Sequence, residues 1–271
     1  EDAGIENAEL FIAVMGSDEL NMLSCFLAKK MGAKHTIARI RAPEYNDQSL
    51  GFMKQQLGIS MTINPDLFAA QELFNILQLP SAIKIETFSR RNFMMIEMKL
   101  KNDSVLDGIT LREMREKYRS KVLICALRRG DEVYIPDGSF VLKSGDTIGI
   151  MASPYEIEKM LKSIGTLKKQ AKNVMILGGS RTAYYLAKML CETGCSPKII
   201  ELKADRCREL CEELPKATVI NGDGAEQELL REEGIDMLDA FVALTGMDEE
   251  NILISIYAAK QKVPKVISKI N

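Results

Sequence analysis

Residues 4–41 and 234–271 of this chain align with each other without a gap. Identical pairs include Gly4 with Gly234, Ile5 with Ile235, Phe11 with Phe241, Ala13 with Ala243, Gly16 with Gly246, Asp18 with Asp248, Glu19 with Glu249, Asn21 with Asn251, Lys30 with Lys260 and Ile40 with Ile270. An ungapped match of this length means a duplicated structural unit. Solenoid repeats recur every ~20–50 residues, far closer than these two copies, so the duplicated object is a whole domain or a pair of domains. The chain is therefore expected to hold two incomplete copies of one domain with something different between them.

From residue 172 onward short β-branched runs alternate with amphipathic stretches, the pattern of a parallel sheet with helical crossovers. Strands are expected at 173–177, 198–202, 217–220, 240–244 and 265–270, with helices at 182–192, 204–213, 225–233 and 248–260. The N-terminal copy repeats only the closing phrase, with strand 10–14, helix 18–31 and strand 35–40. It then runs on through helix 44–57, strand 61–63 and helix 67–77. Each copy thus supplies what the other lacks, as if the chain were a window cut out of phase across a longer two-unit protein.

Residues 83–165 have another grammar: strands at 85–88, 94–100, 122–127, 132–135 and 147–151, turns at 89–92 and 128–131, and short helices at 111–116 and after Pro154. This reads as a compact, mostly antiparallel α+β module. The expected fold class is α/β, with Rossmann-like doubly wound parallel sheets in two incomplete copies and a small α+β lobe between them. The expected domains are 1–81, 82–165 and 172–271, with a Lys-rich linker over 168–172.

Composition narrows the function classes. With 36 Lys and Arg against 38 Asp and Glu, and no basic cluster interleaved with aromatics, the chain has no electrostatic footprint for nucleic acid. No apolar run approaches the ~18 residues of a membrane span, and the acidic first residues do not read as a signal peptide, so a soluble chain with reduced thiols is expected. Of six cysteines, Cys191, Cys195, Cys207 and Cys211 form a suggestive set. A zinc site would require their convergence; the plainer reading is small apolar residues in helix packing, and no metal is expected.

The turn Gly178-Gly179-Ser180-Arg181-Thr182-Ala183 stands where a dinucleotide fold places its G-x-G-x-x-G/A phosphate loop. Gly178 would make the tight turn. Ser180 replaces the second glycine, crowding the backbone approach to pyrophosphate while offering a hydroxyl. The rival reading is a glycine-rich turn that serves packing alone. Glu201 ends the second strand about 20 residues on, where the fingerprint expects an acid for ribose hydroxyls. Residues 221–224 follow the third strand and Thr245-Gly246 the fourth, so all four turns are expected at the carboxyl edge of one sheet, where ligands of open α/β sheets bind. The Asp18-Glu19 and Asp248-Glu249 pairs open a helix in each copy, and capping with the helix dipole explains them without a ligand. His35, the only histidine, has no evident triad partner. No catalytic residue is assigned.

Three segments, AELFIAVMGSDELNMLSCFLAKKMGAKHTIARIRAPEY, PDGSFVLKSGDTIGIM and VINGDGAEQELLREEGIDMLDAFVALTGMDEENI, resemble in order and spacing the cytosolic regulatory subunits of bacterial Trk-type potassium uptake systems, built from two tandem regulator-of-potassium-conductance (RCK) units. The resemblance covers essentially the whole chain. It implies a non-enzymatic sensor, cytoplasmic and peripheral at the inner face of the membrane, that binds NAD(H) or ATP/ADP. It also implies a homo-oligomer, dimer or tetramer, that gates a membrane potassium transporter subunit. It places Gly178, Gly179, Ser180, Arg181 and Thr182 at the phosphates, Glu201 at the ribose, Asp223 near the adenosine, and Thr245 with Gly246 across the cleft. In the first copy it marks Met15, Gly16 and Arg39, the last replaced by Lys269 in the second copy. The small lobe matches a sensing and dimerising module that in some relatives binds a cyclic dinucleotide; its residues here assign no ligand. The alternative is a nucleotide-dependent oxidoreductase whose catalytic residues lie outside this sequence.

Overall fold

The structure, a computed structural model, describes residues 4–45, 47–78, 84–88, 93–166 and 171–270. Both copies of the repeat open on the same local device. Gly4 (φ 68°) and Gly234 (φ 79°) take the left-handed conformation that starts a short 3₁₀ turn, which accounts for that conserved pair of glycines.

In the first copy β1 (Leu10–Ala13), α1 (Asp18–Lys30), β2 (His35–Arg39), α2 (Asp47–Leu57) and β3 (Met61–Ile63) lead into α3 (Pro65–Gln78). The three strands pair parallel in the order β1-β2-β3. Ala13, Met22, Cys25, Ala38, Ile40 and Ile59 form the core between sheet and helices. The helix expected at 67–77 begins two residues earlier, because Pro65 suits a first helical turn and the Asn64 side chain accepts the Leu67 N–H at 3.1 Å.

The middle of the chain forms β4 (Lys84–Phe88), β5 (Phe93–Lys99), α4 (Leu111–Tyr118), β6 (Leu123–Arg129), β7 (Glu132–Tyr134), β8 (Thr147–Ala152) and α5 (Pro154–Ser163). The sheet is wholly antiparallel, in the order β4-β5-β8-β6-β7. The turn expected over 128–131 is tighter: β6 runs through Arg129 and Gly130 turns the chain at φ 61°. A register shift between Ile124 and Ala126 leaves Cys125 beside Gly149, where an added Cβ would stand 3.3 Å from its sulfur. Buried Asp146 takes two 2.7 Å bonds from Arg129 and one from the Lys143 N–H, closing the turn before β8.

The second copy comprises β9 (Val174–Leu177), α6 (Arg181–Glu192), β10 (Lys198–Glu201), α7 (Ala204–Glu213), β11 (Thr218–Asn221), α8 (Gln227–Glu232), β12 (Ala240–Ala243), α9 (Asp248–Lys260) and β13 (Lys265–Ser268). All pairings are parallel, in the order β11-β10-β9-β12-β13. The order reverses between β9 and β12, and both of these central strands are buried along their whole length. Helix α8 starts two residues later than expected because Asp223 holds the Ala225 N–H in a turn.

The chain divides into two compact units, one of residues 1–71 with 173–271 and one of residues 72–172. The expected junction at 81–82, the turn at 89–92 and most of the 168–172 linker lie outside the described residues.

Candidate functional site

The carboxyl ends of β9, β10, β11 and β12 enclose a crevice of about 660 Å³. It brings together Gly178, Gly179, Ser180, Glu201, Asp223, Thr245 and Gly246 of the sequence-predicted residues. Gly178 has φ 91°, and an added Cβ would stand 3.0 Å from Leu244 O and from Thr245 N. Only glycine turns the chain there while β9 and β12 stay bonded through Leu244 N–H to Leu177 O at 2.8 Å.

Ser180 is the N-cap of α6, its Oγ accepting the Ala183 N–H at 3.3 Å. The hydroxyl proton stays available to a ligand at the positive end of the helix. Glu201 reaches back into the loop: Oε2 accepts the Gly179 N–H at 2.6 Å and Oε1 the Lys203 N–H at 2.8 Å. A carboxylate oxygen holds two lone pairs, so ribose hydroxyls can still donate to it. Gly179 proves to be a packing glycine as well, since a Cβ would stand 2.8 Å from both Glu201 Oε2 and Leu210 Cδ1.

Two cations that sequence reasoning missed line the same crevice, Lys203 and Arg206. Arg206 donates from Nε to Gly179 O at 2.9 Å and from Nη1 to Glu209 at 2.7 Å, clasping the glycine turn from α7. The available signal was its place five residues after Glu201, in the first turn of the following helix.

Arg181 and Thr182 are not brought into the crevice lining. Arg181 is exposed, and buried Thr182 turns its hydroxyl to Asp66 of the first copy at 3.0 Å. One turn on, Tyr185 donates to Arg41 O at 3.0 Å and accepts from Asn64 Nδ2 at 3.0 Å. Burial raises the Tyr185 phenol, so it acts as a neutral hydrogen-bonding group. Helix α6 is thereby tied to the first copy at three points.

The turn after the fourth strand has the same architecture in both copies. Fully buried Asn251 accepts from Thr245 N at 3.0 Å and Thr245 Oγ1 at 2.8 Å, and donates to Thr245 O at 3.2 Å and Lys269 O at 3.1 Å. Fully buried Asn21 accepts from Met15 N at 2.6 Å and donates to Met15 O at 3.1 Å and Arg39 O at 2.9 Å. Arg39 and Arg41 each send one Nη2 to this turn, to Met15 O at 2.8 Å and Gly16 O at 3.1 Å. Met15, Gly16 and Arg39 are therefore neighbours, at the carboxyl edge of the first sheet.

The capping expectation for Asp18 is corrected. Ser17 caps α1, accepting the Leu20 N–H, while the Asp18 carboxylate accepts the N–H groups of Arg41 and Ala42 at 2.8 Å each. A buried acid holding two backbone amides fixes the loop after β2, which helix-start statistics do not reveal. Helix α9 has no side-chain cap at Met247; its acidic first turn of Asp248, Glu249 and Glu250 meets the helix dipole.

Cys191, Cys195 and Cys207 are buried and Cys211 is exposed. Burial pushes the Cys195 thiol up to about 11. Among the described residues no group of three or more His, Cys, Asp or Glu side chains is arranged to hold a metal ion. His35 opens β2 on the surface. Among the described residues no helix is long and apolar enough to cross a membrane.

A doubly wound parallel sheet with a glycine turn at its switch point, an acid at the end of the neighbouring strand and a crevice lined by both has the architecture of a Rossmann-like domain. The TrkA-N domain model matches residues 1–65 and 174–271, and the TrkA-C domain model residues 95–165. The chain belongs to the TrkA-N domain family. It is 36% identical over 269 residues to a Trk system potassium uptake protein TrkA homolog of Archaeoglobus fulgidus, covering 99% of this chain and 61% of that one. It is 32% identical to the Trk system potassium uptake protein TrkA of Haemophilus influenzae, covering 98% and 58%. The chain thus spans about three fifths of the length of these relatives.

Among solved structures the fold is shared with the GsuK RCK domain (TM-score 0.65, 17% identity, covering 97% of this chain and 55% of that one). It is shared also with the GsuK channel bound to NAD (TM-score 0.63, 17% identity, covering 95% and 44%).

Proposed function

We propose that this chain is the ligand-sensing part of a cytosolic regulatory subunit of a potassium uptake transporter. NAD(H) binds in the crevice between β9, β10, β11 and β12, and adenine nucleotides compete for the same place. The observation that carries the reading is the Gly178–Ser180 turn and the Glu201 carboxylate bonded to it lining one crevice, with the α6 N-terminus placed to receive a pyrophosphate. Gly178, Gly179 and Ser180 with the backbone of Arg181 and Thr182 take the phosphates, Glu201 the ribose, Asp223 the adenosine side, and Thr245 with Gly246 the opposite wall. Met15, Gly16 and Arg39 form the corresponding wall of the first copy.

Binding is converted into movement through α6. The helix whose N-terminus would hold the phosphates is bonded to Asp66, Asn64 and Arg41 of the first copy. A ligand that favours one arrangement of those contacts shifts the population between arrangements. In this reading the chain has three lobes, 1–81, 82–165 and 172–271, assembles as a dimer or tetramer, and acts at the inner face of the membrane on the transporter subunit. No catalytic group is assigned. Membership of the TrkA-N family, the naming of its relatives as potassium uptake proteins and the NAD-bound state of a channel of like fold support it.

Calorimetric titration with NADH, NAD, ATP and ADP, run beside an absorbance assay for NADH oxidation, tests the proposal. It predicts saturable binding without turnover. Hydride transfer would replace it with the oxidoreductase reading, and no binding of any of the four would refute it.

A further inference from the structure

We infer that Asn251 is the positioning residue of the nucleotide crevice: it sets the far wall by locking the Thr245 turn to the end of β13. The inference rests on the proposed nucleotide site and adds a residue to it. An amide within a helix carries no propensity advantage, yet Asn251 is fully buried in α9 and spends its side chain on the Thr245 turn and the residue after β13. Its oxygen takes the N–H and hydroxyl of Thr245, and its nitrogen gives one proton to Thr245 O and one to Lys269 O.

A carboxamide alone among side chains of this size offers two donors and an acceptor in one plane. Asp lacks the donors, Leu lacks all three groups, and Ser does not span the gap. The three backbone bonds of this arrangement recur at Asn21, where Met15 replaces Thr245 and Arg39 replaces Lys269; only the bond from the Thr245 hydroxyl has no counterpart. The side chains of the turn have changed between the copies while the amide and its backbone partners have not. The amide therefore serves the backbone of the turn. In the second copy that backbone, Thr245 and Gly246, lines the crevice opposite the phosphate loop.

The Asn251→Asp variant provides a readout that a general packing role would not move. Its carboxylate would face two carbonyl oxygens, with Glu250 and Asp248 on its own helix and Lys269, the residue after β13, as the nearby charged groups. Burial against those oxygens raises its pKa well above ~3.9. At pH 8.0 the charged form should repel Thr245 O and Lys269 O and weaken NADH binding by about tenfold or more. At pH 5.5 the protonated acid regains a donor, and affinity should return to within about threefold of wild type measured at the same pH.

Calorimetry with NADH on both proteins at both pH values makes the test. Wild-type affinity at pH 8.0, or a loss that pH does not change, overturns the inference. Should the variant not fold, the unaltered protein answers: Asn251 side-chain protons should exchange slowly with solvent and more slowly still with NADH bound. Rapid exchange, or no change on binding, overturns it. If wild type binds no NADH, the functional reading fails and the inference falls with it; if wild type binds and the variant is unaffected, the inference fails alone.

Discussion

Gly178→Ala and Gly246→Ala separate the glycine that makes the fold from the glycine that makes room for a ligand. At Gly178 an alanine must hold φ near 91° and place its Cβ 3.0 Å from the backbone of Leu244 and Thr245. The left-handed conformation costs about 1–2 kcal/mol, and overpacking against two backbone atoms that cannot rotate away adds about 1–3 kcal/mol. Around Gly246 nothing lies within 4 Å, and its backbone is not left-handed. With about 2–4 °C per kcal/mol for a unit of this size, Gly178→Ala should lower Tm by about 5–15 °C by differential scanning calorimetry. Gly246→Ala should leave Tm within about 1 °C and weaken NADH binding, because Gly246 lines the crevice and an added methyl there meets open space that the ligand would fill. The reasoning is refuted if Gly178→Ala melts with wild type, or if Gly246→Ala binds NADH unchanged.

Tyr185→Phe removes a hydroxyl with two 3.0 Å partners in the first copy and should cost about 1–2 kcal/mol. Hydrogen exchange should show the amides of Arg41 and Ala42 losing their response to NADH while binding itself persists. Asp146→Ala leaves Arg129 without its bidentate partner and should cost about 3 kcal/mol in chemical denaturation; the estimate sits low because Arg129 keeps 33% of its side chain in solvent. Burial alone would raise the Asp146 pKa, but the bonds from Arg129 and the Lys143 N–H outweigh it and hold the carboxyl below 3.8. That contribution is present above 3.8 and lost as pH falls through the depressed value, so Asp146→Asn should flatten the acid limb of the stability profile. Cys195, with its thiol pushed up to about 11, should react with iodoacetamide at pH 8 far more slowly than exposed Cys211, and equal labelling rates would contradict its burial.

The parallel sheets were legible because β9, β10 and β12 are short apolar runs between helices of clear period, and because the internal repeat gave β12, α9 and β13 a second reading in β1, α1 and β2. Element ends were less so. Where Asn64 or Asp223 bonds a nearby N–H, the local side chain moves the helix start by two residues. The glycine turn and Glu201 could be found by spacing, since both act through neighbours on adjacent strands. Asp18 and Tyr185 could not, because each acts through backbone atoms supplied by a distant segment that no motif names. Thr182 looked like a phosphate ligand by position, and the packing of α6 on the first copy turned its hydroxyl away.

The central claim is that the crevice holds a dinucleotide with its ribose on Glu201. The most direct measurement is calorimetric titration of NADH into the wild-type protein and a Glu201→Leu variant that still melts cooperatively. The account predicts saturable binding to wild type and its loss in the variant; equal binding by both, or by neither, would contradict it.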